Sequence, residues 1–264
     1  MMRVTVLMYH MIDTPVTPEE RRFCRSPENF RNDMQIIHEA GYRVISMKTL
    51  LEAIKNKDQH LSKAVVITFD DGLACNYENA LPVLEEFGYT ASVFVVTSYI
   101  GGYNDFSRNY GFSRRRMLTV NQIKALKKAG VDIGSHTVHH LALGKTATQV
   151  TIDEILKSKC MLEDILACEV PHFAYPFGSW NPAVREIVMN ANYTGACSTM
   201  PWPNRLDTDP FLLRRSEIKG QDNSAQFRLK LRFATNTMPP VAEARQLARG
   251  FLEKMKVIPP KRFY

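Results

Sequence analysis

Four residues in this chain have types and spacing suited to holding a cation and moving a proton: Asp70, Asp71, His136 and His140. The carboxylates stand side by side in Thr68-Phe69-Asp70-Asp71-Gly72, and the imidazoles stand four apart in His136-Thr137-Val138-His139-His140. Side chains alternate along an extended backbone, so adjacent aspartates diverge, which suits two tasks better than one shared proton. Imidazoles four apart converge on one ion if the segment makes a helical turn, which brings their Cβ atoms to about 5–6 Å. His139, three residues after His136, offers a similar convergence if it does not. One carboxylate with two histidines makes a ligand set for a divalent cation that leaves positions open for water and substrate. An Asp-Asp-Gly run alone is also an ordinary polar turn; the histidine pair is what distinguishes this one.

The elements that carry these residues are strands. Ala64-Val65-Val66-Ile67 is too short for a helix and too uniformly apolar for a half-exposed strand, so it reads as a buried parallel strand with the aspartates at its end. Val131-Asp132-Ile133 leads in the same way to His136, and Val4 to Tyr9 leads to His10. Ser26, Pro27 and Glu28 start a helix that Gly41 ends, with Phe30, Met34, Ile37 and His38 as its buried stripe. A strand over 42–46, a helix around Leu50–Ile54, a helix over 78–87 and a strand over 91–96 follow. Residues 97–118 form a loop rich in Gly, Ser, Asn and Arg, with interleaved Tyr103, Phe106, Tyr110 and Phe112 offering faces for stacking and Arg108, Arg114, Arg115 or Arg116 reaching for anionic groups. Thr119 to Gln122 caps another helix. Residues 147–168 make one long amphipathic helix burying Ile152, Ile155, Leu156, Met161, Leu162 and Ile165, with Cys160 and Cys168 as packing residues. This alternation predicts an α/β fold with a parallel sheet, and chemistry at successive strand ends favours a barrel over an open sheet.

Residues 68–72 and 136–140 resemble the first two motifs of the polysaccharide deacetylases, the NodB-homology domain of carbohydrate esterase family 4. Phe173-Ala174-Tyr175-Pro176-Phe177-Gly178 is similar to the third, and the resemblance spans roughly residues 1–218. It implies a distorted (β/α) barrel with about seven parallel strands. It also implies Asp71, His136 and His140 as ligands of one divalent metal, zinc first, with cobalt, nickel or iron suited to the same donors. Asp70 is then the general base. Leu7-Met8-Tyr9-His10 looks like the N-terminal Tyr-His of the family's circularly permuted branch, which implies His10 as general acid. Many members carry an arginine in the third motif that orients the catalytic carboxylate; this chain has Ala174 there. A later family segment resembles Asp209 to Arg215, and its arginine matches Arg215, implying Arg215 as the partner of Asp70. Tyr175, Pro176, Phe177 and Trp180 are the implied substrate-binding residues, with the Phe177 N–H facing an oxyanion. The implied reaction removes an N-acetyl group from an amino sugar in surface polysaccharide or its precursor. A deformylase or cyclic-amide hydrolase, and a catalytically silent sugar-binding domain, are the alternatives.

At 264 residues and 45% apolar content the chain can build a sizeable core. Its five cysteines are odd in number and lack metal-type pairing, which suits free thiols in a reducing compartment. The first residues lack a signal-peptide pattern, and no run is long enough to span a membrane. These features predict a cytoplasmic protein. From residue 221 onward nine basic residues face three acidic ones, so this stretch carries six of the seven net positive charges. The expected organisation is a catalytic barrel over 1–220 and a basic helical extension over 221–264 packed on it. The extension is a solvated face or a means of approaching an anionic membrane surface or lipid-linked precursor. Nucleic acid is not expected, because the chain has no aromatic RNA-binding signature, zinc finger or helix-turn-helix.

Overall fold

The computed structural model describes residues 2–235. The described residues form ten strands and seven α-helices in the following order, besides short 3-10 and π turns. They are β1 (Thr5–Tyr9), β2 (Met11–Ile12), β3 (Cys24–Arg25), α1 (Pro27–Glu39), β4 (Arg43–Val44), α2 (Met47–Lys55), β5 (Ala64–Phe69), α3 (Leu81–Phe87), β6 (Ser92–Val95), α4 (Val120–Lys128), β7 (Asp132–Ser135), α5 (Thr148–Leu166), β8 (His172–Ala174), α6 (Pro182–Asn190), β9 (Gly195–Cys197), β10 (Ser216–Glu217) and α7 (Ser224–Phe233).

Seven strands form one curled sheet in the order β10-β1-β5-β6-β7-β8-β9, with every ladder parallel. The short β4 adds to β5 outside this path. Every residue of β1 and β5 is buried, as expected where helices cover one face of a sheet and its own curl encloses the other. The two ends of the sheet are brought together by one segment, 213–217. Leu213 bridges in parallel to Cys197 beside β9, and three residues later Ser216 pairs with Leu7 of β1. The distorted barrel expected from the sequence is therefore present, with a closure made by backbone that is barely strand.

Local signals held where they were strong. The Ser26 hydroxyl accepts from the Asn29 N–H with Pro27 at the first helical position, and Thr119 and Gln122 form a reciprocal capping box. Gly41 leaves α1 in the left-handed region at φ 68°, a conformation that side-chain-bearing residues rarely adopt. Helix rotation was less legible. In α1 the buried face holds Phe30, Asp33, Met34, Ile36 and Ile37, and His38 is exposed. The cause is a buried ion pair: Arg25 donates from Nε and Nη2 to Asp33 at 2.9 and 2.6 Å, and the Tyr9 hydroxyl donates to the same carboxylate at 3.1 Å. Facing Asp33 inward turns His38 out. In α5, Leu156 and Met161 are exposed rather than buried, at 42% and 39%. Thr151, Glu154 and Ser158 take the inner face beside Ile155 and Leu162, because that face meets the polar end of β7. Cys160 and Cys168 are exposed, not packed.

Phe30, Leu7, Ile67, Val93 and Ile133 lie in the largest core cluster between the sheet and its outer helices. Each such burial contributes about 1.5–3 kcal/mol. Phe227 and Leu231 of α7 join this cluster, so residues 224–233 of the expected extension pack on the barrel; the rest of it, 236–264, lies outside the described residues. No helix of the described residues is long and apolar enough to cross a membrane.

Candidate active site

β5 ends at Phe69, but its ladder runs one residue further, as the Asp70 N–H donates to the Tyr9 carbonyl at 3.0 Å. Asp70 therefore keeps its side chain inside the barrel. Asp71 and Gly72 then adopt left-handed backbone, at φ 75° and 80°, and the chain leaves the sheet. A Cβ on Gly72 would lie 3.1 Å from Val95, so both conformation and space favour glycine there. The aspartates diverge as expected, through this turn rather than through the strand pleat alone.

His136 follows β7 directly, its N–H donating to the Val95 carbonyl at 2.9 Å. Its Nδ1 lies 2.8 Å from the Ala174 carbonyl, which can only accept, so Nδ1 carries the proton and Nε2 keeps its lone pair. Residues 136–140 do not form a helical turn. Thr137 and His140 instead take left-handed backbone at φ 69° and 61°, and the Thr137 hydroxyl accepts the His140 N–H at 2.9 Å. This loop swings His140 back toward His136, their ring centroids 4.9 Å apart. His139 points away, with its Nδ1 2.6 Å from Glu154 and its side chain 55% exposed. The choice between His139 and His140 thus falls to His140.

Asp71, His136 and His140 offer ligand atoms that all lie within 4.8 Å of one another. Asp71 Oδ1 is 3.4 Å from His140 Nε2 and 3.7 Å from His136 Nε2. Burial pushes the Asp71 carboxyl above its ordinary value. Burial likewise lowers His136, and lowers His140 well below the usual imidazole range. Two neutral imidazoles with free lone pairs and a carboxylate short of positive charge are a donor set that fits a divalent cation.

Asp70 faces a different partner. Arg215 has no exposed surface, and its Nη1 and Nη2 donate to Asp70 Oδ1 and Oδ2 at 2.6 and 2.7 Å. Its Nε donates to the Ser198 carbonyl at 2.9 Å, and its guanidinium carbon lies 5.5 Å from the Phe94 ring centroid. A Cβ on Gly134 would come within 2.5 Å of that ring, so the packing under Arg215 requires glycine in β7. Burial alone would raise the Asp70 carboxyl; the Arg215 charge and its hydrogen bonds outweigh it and hold it down to about 2. Ala174, where an arginine was missing, is buried, and its carbonyl meets His136 Nδ1.

His10 stands at the end of β1, half-buried, edge-on to Phe23 at 5.1 Å, with its Nδ1 buried and unpartnered among the described residues. The rim is aromatic. His140 lies between Phe106 and Phe177, at 4.7 and 4.5 Å, and exposed Tyr110 lies 5.9 Å beyond Phe177. Phe177 reaches this place through left-handed backbone at φ 58°. Tyr175 and Pro176 are buried, and Trp180 packs on the cluster around Leu143 and Phe173. Of the four residues expected to meet substrate, Phe177 has its ring against the His140 ring of the cation cluster; the strand-like backbone before it directs Tyr175 into the core.

Loop 97–118 is folded onto the 13–25 segment. Arg115 donates to Asp13 at 2.7 Å and to both oxygens of Glu20 at 3.0 and 2.6 Å, so it braces the rim rather than facing an anionic ligand. Sequence reasoning missed this clasp, the Arg25–Asp33 pair and Glu154. Polar residues at helical spacing on one face of an otherwise amphipathic helix, Thr151, Glu154 and Ser158, were the available signal for the last.

Fold and site together define an α/β barrel with an Asp-His-His cluster at the C-terminal ends of its strands. The polysaccharide deacetylase family model matches residues 57–196, more than half of the chain. The chain belongs to the polysaccharide deacetylase family. It is 27% identical over 225 residues to YxkH of Bacillus subtilis (strain 168), named for polysaccharide deacetylase, with 84% of this chain and 74% of that protein covered. It is 24% identical over 182 residues to the poly-beta-1,6-N-acetyl-D-glucosamine N-deacetylase of Staphylococcus aureus (strain N315), covering 66% of this chain and 60% of that protein. Among solved structures, the Streptococcus pyogenes deacetylase PplD in complex with acetate superposes with a TM-score of 0.72 at 26% identity, covering 83% of this chain and 94% of that one.

Proposed function

We propose that this protein is a metal-dependent carbohydrate N-deacetylase that hydrolyses the acetamide of an N-acetylated amino sugar in surface polysaccharide or its precursor. The observation that carries this reading is the convergence of Asp71, His136 and His140 beside a second carboxylate, Asp70, held ionised by Arg215. A divalent cation held by the three ligands, zinc or another metal suited to nitrogen and oxygen donors, would supply Lewis acidity, polarising a carbonyl and lowering the pKa of water toward about 7.

The protein's own groups then divide the proton work. Asp70 is the general base: Arg215 occupies one lone pair on each oxygen and leaves others to accept the proton of the attacking water. His10, on the adjacent strand, is the general acid that protonates the leaving amine. The Phe177 N–H helps hold the developing oxyanion, and the Phe106 and Phe177 rings restrict water around His140. The N-deacetylase name of the staphylococcal relatives and the acetate bound by the streptococcal deacetylase support an N-acetyl substrate. A reducing, cytoplasmic setting and a lipid-linked precursor fit five free thiols and the basic C-terminal stretch.

Metal content by elemental analysis, with acetate release from a panel of N-acetylated sugars before and after chelation, tests this. About one metal per chain with chelator-sensitive acetate release is expected. Metal without acetate redirects the search to other amides, and no metal under any reconstitution overturns the reading.

A further inference from the structure

The loop that carries both histidine ligands is held in place by its backbone, from two sides. The Thr137 and Val138 carbonyls accept the Thr97 and Ser98 N–H groups at 3.1 and 3.0 Å, from the turn that follows β6. On the other side, Oε2 of Glu154 accepts the N–H groups of Val138 and His139 at 3.0 and 2.8 Å, and its Oε1 accepts from His139 Nδ1 at 2.6 Å. Glu154 is only 4% exposed. One turn further along α5, Ser158 bonds Ser135, the last residue of β7, at 2.7 Å.

We infer that Glu154 is a positioning residue for the cation site, its carboxylate fixing the 137–139 backbone so that His136 and His140 converge; this rests on the metal-dependent reading above. The loop needs such an anchor. It contains two left-handed residues without glycine, and for the β-branched Thr137 this is a genuine outlier. Without the carboxylate two amides lose their acceptor, and unpaired buried amides are costly. The cheapest relief is to unwind the left-handed residues, which rotates His140 away from His136. Among the described residues the Glu154 carboxylate bonds the Val138 and His139 amides and the His139 ring, none of them a ligand side chain, so it acts through the backbone.

The test is zinc affinity, measured by competition with a chromophoric chelator, together with the melting temperature of the metal-free protein. Glu154→Ala and Glu154→Asp, whose shorter arm falls short of the amides, are each expected to bind zinc at least about tenfold more weakly than wild type. Glu154→Gln keeps an oxygen acceptor for the two amides and is expected to recover most of the affinity. His139→Ala leaves both backbone bonds in place and is expected to stay within about threefold of wild type, below the loss typical of ligand-orienting partners. Folded Glu154→Asp or Glu154→Ala protein with wild-type zinc affinity overturns the role of Glu154, even if its melting temperature falls. A wild type that binds no zinc removes the cation site itself and this role with it.

Discussion

Arg215 meets Asp70 end-on, both terminal nitrogens on both oxygens, from 145 residues away in the chain. The arginine lies in the segment that closes the barrel between β9 and β1, so closing the sheet and orienting the carboxylate are one event. Replacing Arg215 by Lys keeps a charge but loses the planar fork. Turnover is expected to fall by roughly 100-fold with KM little changed, since general-base catalysis contributes about 10²–10⁴-fold. Arg215→Ala leaves a buried carboxylate unpaired and is expected to cost about 3–5 kcal/mol in stability by denaturant titration. A lysine variant with wild-type turnover would show that Asp70 needs the charge and not the geometry.

The proposed general acid separates from the ligand set by a simple comparison. Asp71→Asn is expected to lose metal and activity together. His10→Ala is expected to keep metal and lose turnover. Metal analysis beside a rate measurement checks both, and normal turnover in either variant contradicts the assignment.

The clasp of Arg115 on Glu20 and Asp13 ties the aromatic rim to the 13–25 segment. Burial works against the Glu20 charge, but the Arg115 and Ser113 side chains and the Val16 N–H outweigh it, lowering the carboxyl to about 2. A carboxyl lowered on folding stabilises fully above its unfolded value of 4.5 and loses that contribution as pH falls toward 2. Arg115→Ala is expected to flatten stability against pH in that window. It should also open residues 97–118 to proteolysis and raise KM, with kcat less affected. An unchanged KM would remove the rim from substrate binding.

His172, in β8, titrates in a different window. Burial is the main cause that lowers its imidazole from 6.5 to about 4, and its Nδ1 has no partner among the described residues. The folded protein therefore holds it neutral where the unfolded chain protonates it. Stability attributable to this group is fully present above pH 6.5 and is lost as pH falls from 6.5 toward 4. The metal-free His172→Leu variant is expected to lose less stability than wild type between pH 7 and pH 4.5 in denaturant titrations. Parallel curves for the two proteins would place the acid sensitivity elsewhere.

Reading residues in order recovered what adjacent backbone decides. The buried run before Asp70, the caps at Ser26 and Thr119, the left-handed exit at Gly41 and the strand–helix alternation all follow from periodicity and local hydrogen bonding over a few residues. So did the identity of the carboxylate and histidine groups, because their motifs are short. Periodicity located the helices but not their rotation. His38, Leu156 and Met161 face outward because Asp33 and Glu154 find buried partners that no local pattern reveals. Whether His139 or His140 joins His136 depended on two left-handed residues whose anchors lie on β6's following turn and on α5. The Arg215–Asp70 and Arg115–Glu20 pairs join residues 145 and 95 positions apart. The chain's local chemistry was enough to name the groups; only closure of the barrel, which sets distances between remote segments, decided which of them meet.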